Sequence, residues 1–216
     1  IDSSFQLDPG VDHILYAVAV QPDGKIVLGG YTGDSGFGQT LGKGVWRINP
    51  DGSLDPSLNT QIARLESVST IAIQTDGKIL IGGGFTMVNG VARRALARLN
   101  SNGSLDSAFN PNVGGLSLSK IALQTDSKIL IGGGFSTING NSISNFARLN
   151  QDGTTDGTFN IGNGANNTVG SILVLPDNRI CVGGSFSLFN GASRPSLVRL
   201  QSDGSLDSSF KPVRIS

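Results

Sequence analysis

The sequence predicts an all-β fold built from four copies of one repeat. The phrase Leu-Asp-x-Ser-Phe, or a close variant, occurs five times in the 216 residues, at 2–5, 54–58, 105–109, 155–159 and 206–210. A second phrase, Asp-Gly-Lys or a variant, starts at Asp23, Asp76, Asp126 and Asp177, which by subtraction are 53, 50 and 51 residues apart. Glu66 is the only Glu, and no segment has the apolar spacing of three and four residues that is typical of a helix.

The second repeat shows the predicted order of elements most clearly. Residues 69–74 alternate apolar with small or polar side chains, which predicts a half-buried strand. Residues 75–78, Thr-Asp-Gly-Lys, then predict a hairpin turn, because Gly77 can adopt a positive φ without a Cβ clash. The returning strand at 79–81 is apolar on both faces, so we expect neighbouring sheets to cover it on both sides.

Glycines end this returning strand in every repeat. Residues 82–84 are three glycines, and glycine pairs or triplets occupy the matching positions 29–30, 132–134 and 183–184. A glycine inside a strand costs ~0.5 to 1 kcal/mol relative to alanine, so we expect that a bulge or a close backbone approach requires it. Phe85 and its counterparts Phe135 and Phe186 are expected to refill the space beside the glycines.

The later part of the repeat completes the predicted blade. An Asn-Gly loop leads to a third strand at 95–99, a turn at Asn102-Gly103 leads out of it, and 105–109 is expected to be a short fourth strand or extended segment. Three to four antiparallel strands per repeat are typical of a β-propeller blade. We therefore predict an all-β, β-propeller-like array of four blades of about 51 residues.

The array is predicted to form one domain over residues 1–216. Its repeats are roughly 1–53, 54–104, 105–154 and 155–205, with a partial fifth repeat at 206–216. Four repeats either close into a ring or form an arc of a larger propeller, and five Leu-Asp phrases are one more than four closed blades require. We expect an arc, whose ends would expose apolar blade faces and favour association with further blades.

The repeat also resembles a known family. Residues 78–85 read Lys-Ile-Leu-Ile-Gly-Gly-Gly-Phe, and Asn89-Gly90 and the segment 97–109 follow, a combination that resembles the bacterial delta-60 repeat over essentially the whole chain. This resemblance implies a β-propeller of largely unknown function from large surface or secreted proteins. Residues 25–31 also resemble a kelch blade, in which a diglycine ends the second strand. Both resemblances imply a propeller, and neither implies a ligand.

Composition argues against several partners. The formal net charge is zero and the basic residues form no run, so we expect no nucleic-acid binding. No apolar stretch approaches the roughly 18 to 20 residues that span a bilayer, so we expect no membrane insertion. Cys181 is the only Cys and cannot form an internal disulfide. The chain begins with Ile1 rather than Met, so we expect a processed form or a piece of a longer protein.

Metal binding and catalysis find little support in the sequence. The segment 49–55 and its counterparts resemble the last part of a calcium loop, but the first ligand position holds Arg47, Arg98, Arg148 or Arg199. Arg is unfavourable there, so we expect the Asp and Asn side chains to cap turns and to pair with the Arg. His13 is the only His, which excludes a histidine metal cluster. We predict no metal, no cofactor and no catalytic residue.

Candidate binding residues come from two sources. The first repeat concentrates aromatic residues, and Trp46 stands where the others have Ala97, Ala147 and Val198. Such an atypical terminal repeat either caps the array or forms an interface, or it holds a ligand. The loops between the Phe and the third strand also differ between repeats, and divergent loops on a repeated frame are where interactions usually reside. The resulting candidates are Tyr16, Tyr31, Trp46, Asn89, Arg93, Arg94, Asn139, Asn141, Asn190 and Arg194.

These observations favour a non-enzymatic binding or scaffolding module. We expect it to present propeller loops to a protein or glycan partner, or to associate with itself through its terminal blades. The resemblance implies a location outside the cell or on a bacterial surface. The alternative is an enzyme, a hydrolase or lyase that uses Asp and Arg residues in a central propeller channel.

Overall fold

The structure is a computed structural model that describes residues 14–31, 44–63 and 66–211. Every regular element in these ranges is a β-strand, which confirms the all-β prediction. No helix long and apolar enough to cross a membrane occurs in the described part of the chain. The strands are β1 (Ile14–Val20), β2 (Ile26–Tyr31), β3 (Val45–Ile48), β4 (Val68–Ile73), β5 (Ile79–Gly83), β6 (Met87–Val88), β7 (Val91–Ala92), β8 (Leu96–Leu99), β9 (Val113–Leu123), β10 (Ile129–Ile138), β11 (Phe146–Leu149), β12 (Val169–Val174), β13 (Ile180–Gly184), β14 (Leu188–Phe189), β15 (Ala192–Ser193) and β16 (Leu197–Leu200).

Four three-stranded antiparallel sheets correspond to the four repeats, and we call them blades 1 to 4. In order of hydrogen-bonded neighbours, blade 1 is β1-β2-β3, blade 2 is β4-β5-β8, blade 3 is β9-β10-β11 and blade 4 is β12-β13-β16. The chain divides into two compact units between Asn110 and Pro111. The first unit therefore contains blades 1 and 2, and the second contains blades 3 and 4.

The hairpin of blade 2 forms as the sequence predicts. β4 and β5 pair antiparallel. In the turn between them, the N–H of Gly77 donates to the carbonyl oxygen of Gln74 at 2.9 Å, and Gly77 has a φ of 79°. The equivalent residues in blades 3 and 4 are Ser127 and Asn178, with φ of 66° and 64°. This turn position therefore tolerates a side chain.

A β-bulge explains the glycine at the end of the second strand. The register between β4 and β5 shifts between Val68 and Thr70. A Cβ added at Gly83 would collide with the carbonyl oxygen of Ser67. The same collision with a backbone oxygen would occur at the equivalent Gly30, Gly133 and Gly184. The expected close approach is confirmed, and it lies within one sheet, across the bulge.

The Leu-Asp phrase forms one bridge rather than a full fourth strand. Leu105 pairs with Leu99 at a single position, and the phrase of each other blade forms one such bridge. Pairing stops there because Asp106 turns the chain. Its Oδ1 accepts from the N–H of Ala108 at 3.1 Å, and its carbonyl oxygen accepts from the N–H of Phe109 at 3.2 Å. The fourth strand is thus reduced to a bridge followed by a turn.

The core of the first unit lies between its two blades. Val27 and Val45 of blade 1 belong to one buried cluster with Val68, Ile79 and Ile81 of blade 2. All five residues of β5 are buried, as expected for a strand that is apolar on both faces.

The second unit repeats this packing between blades 3 and 4. Leu130 and Phe146 of blade 3 share a buried cluster with blade 4 residues that include Val169, Ile172 and Val182. Contacts between aromatic rings stabilise this cluster. The centroid of the Phe146 ring lies 6.1 Å from that of Phe189 and 5.8 Å from that of Phe159. The expected burial of Phe85, Phe135 and Phe186 beside the glycines is confirmed.

Candidate binding clefts and the ion-pair network beside them

Each repeat carries an ion-pair network centred on the Asp of its Leu-Asp phrase. In blade 2, Oδ2 of Asp106 accepts hydrogen bonds from Lys78 Nζ and from Arg98 Nε, both at 2.9 Å. Lys78 comes from the hairpin turn and Arg98 from the third strand. The network therefore ties three segments of one repeat together through a single carboxylate.

The other three repeats reproduce this geometry. The distance from Arg Nε to Asp Oδ2 is 2.8, 2.8 and 2.7 Å in the pairs Arg47–Asp55, Arg148–Asp156 and Arg199–Asp207. The second cation of the network is Lys25, Lys128 or Arg179. The expectation that Asp pairs with Arg is confirmed in all four repeats.

The Phe that ends the phrase supports the Arg from its other side. The guanidinium carbon of Arg148 lies 4.2 Å from the centroid of the Phe159 ring. The equivalent distances are 4.4 Å for Arg98 over Phe109 and 4.7 Å for Arg199 over Phe210. A cation over an aromatic face is attracted by the ring quadrupole. This contact gives the Phe of the phrase a structural role.

The network lowers the pKa of its carboxylates. Burial on its own raises the pKa of Asp156, but hydrogen bonds from Thr158, Lys128 and Arg148 lower it more, so it lies well below its usual range. The pKa values of Asp55, Asp106 and Asp207 are lowered as well. Each carboxylate is therefore ionised at neutral pH and fully engaged by donors, which suits it poorly to general acid or base catalysis.

The loops that resemble part of a calcium site are side-chain-capped turns. Oδ1 of Asp51 accepts from the N–H of Ser53 at 2.9 Å and from its hydroxyl at 2.7 Å. Asn102 makes the same two contacts with Ser104. The predicted capping role is confirmed. Within the described ranges, no group of three or more His, Cys, Asp and Glu residues is placed to hold a metal ion.

A cleft of about 480 Å³ lies in the first unit, and we call it the amide cleft. Its lining residues share one property, which is an uncharged polar side chain. They are Ser57, Asn59, Gln61, Asn89, Asn102 and Ser104. The first three belong to the segment that leaves blade 1, and the last three belong to loops of blade 2.

Asn89 holds the two sides of the amide cleft together. Its Oδ1 accepts from the N–H of Gln61 at 2.7 Å, and its Nδ2 donates to the carbonyl oxygen of Gly103 at 3.1 Å. The N–H of Asn59 also donates to the carbonyl oxygen of Asn102, at 3.3 Å. The side chains of Asn59 and Gln61 are exposed in the wall of the cleft. The cleft is therefore a fixed frame that presents amide and hydroxyl groups.

A second cleft, of about 470 Å³, lies in the second unit, and we call it the mixed cleft. It is formed by residues within 142–148 and 155–163. Ile143 and Ile161 supply apolar surface, while Asn160 and Asn163 supply exposed amides. The mixed cleft therefore combines apolar and polar groups.

The repeats match one sequence family. Its model, described as "Domain of unknown function (DUF5122) beta-propeller", matches residues 21–58, 74–109, 124–159 and 175–210. The chain belongs to this β-propeller family. Each DUF5122 match begins directly before the hairpin turn and ends on the last residue of the Leu-Asp phrase, so it contains the complete ion-pair network of one repeat. Asn59 and Gln61 of the amide cleft lie between two matches.

Comparison with solved structures finds distant similarity to two proteins from Bacteroides. A protein of unknown function from Bacteroides caccae has 14% identity and a TM-score of 0.48, over 89% of this chain and 65% of its own. The extracellular domain of a candidate one-component system from B. thetaiotaomicron has 16% identity and a TM-score of 0.48, over 86% of this chain and 21% of its own. The chain thus spans less than two thirds of either structure. No curated protein matches it.

Three candidate binding residues have structural roles in the DUF5122 repeat. Asn89, Asn139 and Asn190 each adopt a φ of 50°, at the same loop position. Asn139 accepts from the N–H of Asn112 at 2.9 Å and donates to the carbonyl oxygen of Gly153 at 3.0 Å, as Asn89 does with its own neighbours. These amides tether loops. Asn89 alone among the three also lines a described cleft.

The remaining loop candidates lie outside both clefts. Arg93 is only 9% exposed and donates from Nη1 to the carbonyl oxygen of Ala92 at 2.8 Å, so little of its side chain is open to a ligand. Arg94 and Asn141 are exposed, and Arg194 is half-buried. A ligand role for these three remains a prediction.

The aromatic candidates of blade 1 divide into a core residue and surface residues. Trp46 is 4% exposed and packs with Leu28 and Ile48, so it fills the core and a ligand cannot reach it. Tyr16 is exposed and Tyr31 half-buried. His13 and the divergent loop at 34–43 lie outside the described residues.

The sequence-based candidates omitted most of the cleft residues. Asn59 and Gln61 of the amide cleft, and Asn160 and Asn163 of the mixed cleft, follow the last residue of a Leu-Asp phrase. The sequences after the Leu-Asp phrases differ between repeats as much as the loops between the Phe and the third strand do. This divergence is the sequence signal that identifies them as candidate binding segments.

Proposed function

We propose that the chain is a non-enzymatic binding module that presents the amide cleft to a glycan, outside the cell or on a bacterial surface. One observation carries this proposal: the six side chains that line the cleft are all uncharged amides or hydroxyls. The hydroxyl groups of a sugar both donate and accept hydrogen bonds, which matches amide and hydroxyl partners. The Asp residues of the Leu-Asp phrases do not line this cleft, and each of them pairs with the Arg of its own network instead.

The mixed cleft favours a protein loop as a second class of ligand. Its lining includes the apolar Ile143 and Ile161, the amides of Asn160 and Asn163, and the paired Arg148 and Asp156. An apolar centre with a polar rim is the usual composition of a protein interface. The two clefts therefore suit different partners.

The internal pairing of Asp and Arg supports binding over catalysis. A hydrolase or lyase would need a carboxylate that exchanges protons near neutral pH or that is free to act as a nucleophile. The four Asp residues of the networks have lowered pKa values and accept several hydrogen bonds each. The surface location rests on the resemblance of the repeat to the delta-60 repeat, which we retain as part of this proposal.

A glycan array followed by calorimetric titration tests the proposal. The array identifies a glycan, and titration then compares the wild type with Asn59→Ala and Gln61→Ala. Loss of one hydrogen bond of about 1 kcal/mol should weaken binding by roughly fivefold for each variant. Asn141→Ala is the matched control, because Asn141 is an exposed amide outside both clefts.

The outcomes separate the hypotheses. Weaker binding by the control alone would place the site on the blade 3 loop and overturn the amide cleft. An empty array, together with selection of protein ligands by display, would overturn the glycan. Turnover of any glycosidic bond by the wild type would favour the enzyme.

A further inference from the structure

Neighbouring blades of one unit pack face to face. We call the face of blade 1 that carries Val27 and Val45 the front face. It packs against the face of blade 2 that carries Val68 and Ile71, which we call the back face. The second unit repeats this packing between the front face of blade 3 and the back face of blade 4.

A glycine on each of these front faces makes room for the blade that covers it. A Cβ added at Gly29 of blade 1 would lie 2.8 Å from Cγ1 of Val68 and 2.9 Å from Cδ1 of Ile71 in blade 2. At the equivalent Gly132 of blade 3, the distances to the corresponding Val and Ile side chains of blade 4 would be 2.6 and 3.1 Å. Each glycine therefore forms a socket, which we call the glycine socket, for a Val and an Ile of the next blade.

The glycine socket of blade 4 is open. Strand register makes Gly183 the equivalent of Gly29 and Gly132, because each of the three pairs with the first residue of the third strand. A Cβ added at Gly183 would approach only Ser196 and Ser171, at 3.6 and 3.7 Å, and both residues belong to the same repeat. Within the described part of the chain, no Val or Ile of another blade fills this socket.

The apolar residues around the open socket are exposed as well. Strand register places Leu173, Cys181 and Leu197 on the front face of blade 4. Leu173 and Leu197 are 59% and 39% exposed, and Cys181 is half-buried. In blade 3, the positions of Cys181 and Leu197 hold Leu130 and Phe146, and these two residues are fully buried. The front face of blade 4 is therefore an apolar surface without the cover that its equivalent has.

An arginine on this face lacks the acceptor that its equivalents have. Arg47 and Arg148 each donate from Nη1 to a main-chain carbonyl oxygen of the next blade, that of Ser101 at 2.6 Å and that of Ser202 at 2.7 Å. The hydrogen bonds of Arg199 in the described ranges stay within its own repeat, through Nε and Nη2. Its side chain is 20% exposed, against 8% for Arg148.

A second copy of this chain has no open back face to offer. In blade 1, the back face carries Leu28, Trp46 and Ile48, which are only 5%, 4% and 2% exposed. In blade 3, the back-face residues Leu118 and Ile121 are 0% and 3% exposed. The back faces of blades 2 and 4 are covered inside their own units. The blade that fits the open socket must be another one.

We propose that the front face of blade 4 binds the back face of a further DUF5122 blade that is not one of these four. The partner would supply a Val and an Ile to the socket at Gly183, apolar cover for Leu173 and Leu197, and a carbonyl oxygen for Arg199 Nη1. A repeat that ends an array carries a polar outer face, whereas this face is apolar. The contact does not depend on a glycan in the amide cleft.

Thiol alkylation in an extended chain tests this proposal. A copy of residues 160–210 is inserted after Phe210, so that the segment between blade 4 and the added blade repeats the one between blades 3 and 4. The cysteine of the copy is replaced by Ser, which leaves Cys181 of blade 4 as the only thiol. The added blade should slow alkylation of Cys181 by about tenfold or more, because the thiol then reacts only when the contact opens.

Two variants of the extended chain locate the contact. Leu197→Glu in blade 4 places a charge on the front face and should restore the alkylation rate of the wild type. The same change in the chain without the added blade should leave urea unfolding nearly unchanged, because Leu197 is exposed there. Leu116→Lys is the matched control at an apolar residue of blade 3 that is 84% exposed, and it should keep the protection.

Two results would overturn the proposal. The first is alkylation of Cys181 at the same rate in the wild type and in the extended chain. The second is a wild type whose mass in light scattering doubles with concentration and returns to that of a monomer with Leu197→Glu, since the face would then bind a second copy. A failure of glycan binding would leave both measurements unaffected.

Discussion

Arg148 donates from Nε to Oδ2 of Asp156 at 2.8 Å, and both side chains are less than a tenth exposed. The same pair recurs once in each repeat. An isolated ion of either sign would be costly at this depth, so each residue depends on the other.

We expect Asp156→Asn to destabilise the second unit. The change leaves the guanidinium of Arg148 and the ammonium of Lys128 without a counter-charge, and breaking such a pair costs roughly 3 kcal/mol. Urea unfolding measures the loss. Asp76→Asn, at an exposed turn residue, is the matched control and should change stability by less than about 0.5 kcal/mol. Equal losses in the two variants would contradict a structural role for the network.

We expect Gly83→Val to reduce stability more than Gly77→Val. At Gly83 the new side chain meets the carbonyl oxygen of Ser67, so the bulge itself must move. At Gly77 the space around an added Cβ is open and only the positive φ opposes it, at about 1 to 2 kcal/mol. Gly77→Asn should be nearly neutral, because Asn178 occupies the equivalent turn. Similar unfolding midpoints for both Val variants would refute the bulge as the reason for the glycine.

We expect stability to fall in acid. A carboxylate whose pKa is lower in the folded chain stabilises it above the unfolded pKa, and this contribution is lost as the pH falls through the folded pKa. The lowered pKa values of Asp55, Asp106, Asp156 and Asp207 therefore predict constant stability above about pH 5 and a decline below about pH 4. Urea unfolding across this range measures it. Asp156→Asn should show a smaller decline than the wild type, and an identical decline would contradict the assignment.

We expect calcium to leave the melting temperature unchanged. The position of the first ligand in the calcium-like loops is Arg, and that Arg holds the last Asp of the loop. A metal bound only by the folded chain at 100 times its dissociation constant would add roughly 2.7 kcal/mol. Calorimetric scans in chelator and in millimolar calcium make the comparison. A transition several degrees higher in calcium would show that the loops bind it after all.

The sequence predicts those parts of the fold that depend on interactions between residues close together in the chain. The hairpin at Gly77, the bulge glycine at 83 and the Asp–Arg pairing depend on residues within one repeat, and their patterns are visible in the chain. On sequence grounds the segment at 105–109 is either a short fourth strand or an extended segment, and the structure shows a single bridge, because Oδ1 of Asp106 accepts from the N–H of Ala108 and turns the chain. The pattern of apolar residues does not show that the Asp side chain, rather than a neighbouring strand, will accept from this backbone N–H.

The clefts depend on contacts between repeats, which the sequence does not display. Gln61 and Asn89 are 28 positions apart and meet only because the segment that leaves blade 1 rests on a loop of blade 2. Trp46 is a candidate binding residue on sequence grounds because it replaces a small residue, yet it packs with Leu28 and Ile48 in a buried cluster. Size alone did not distinguish a ring that packs inward from one that binds a ligand.

The carbonyl acceptors of Arg47 and Arg148 bear on how such arrays diversify. Each Arg reaches across to a main-chain oxygen, at Ser101 or Ser202, and therefore places no demand on the side chain that its neighbour carries there. The ion-pair network of each repeat likewise consists of residues that lie within a single family match. This hydrogen bond between blades can therefore persist when the residue at position 101 or 202 changes, whereas the apolar packing between the same blades depends on the side chains of both.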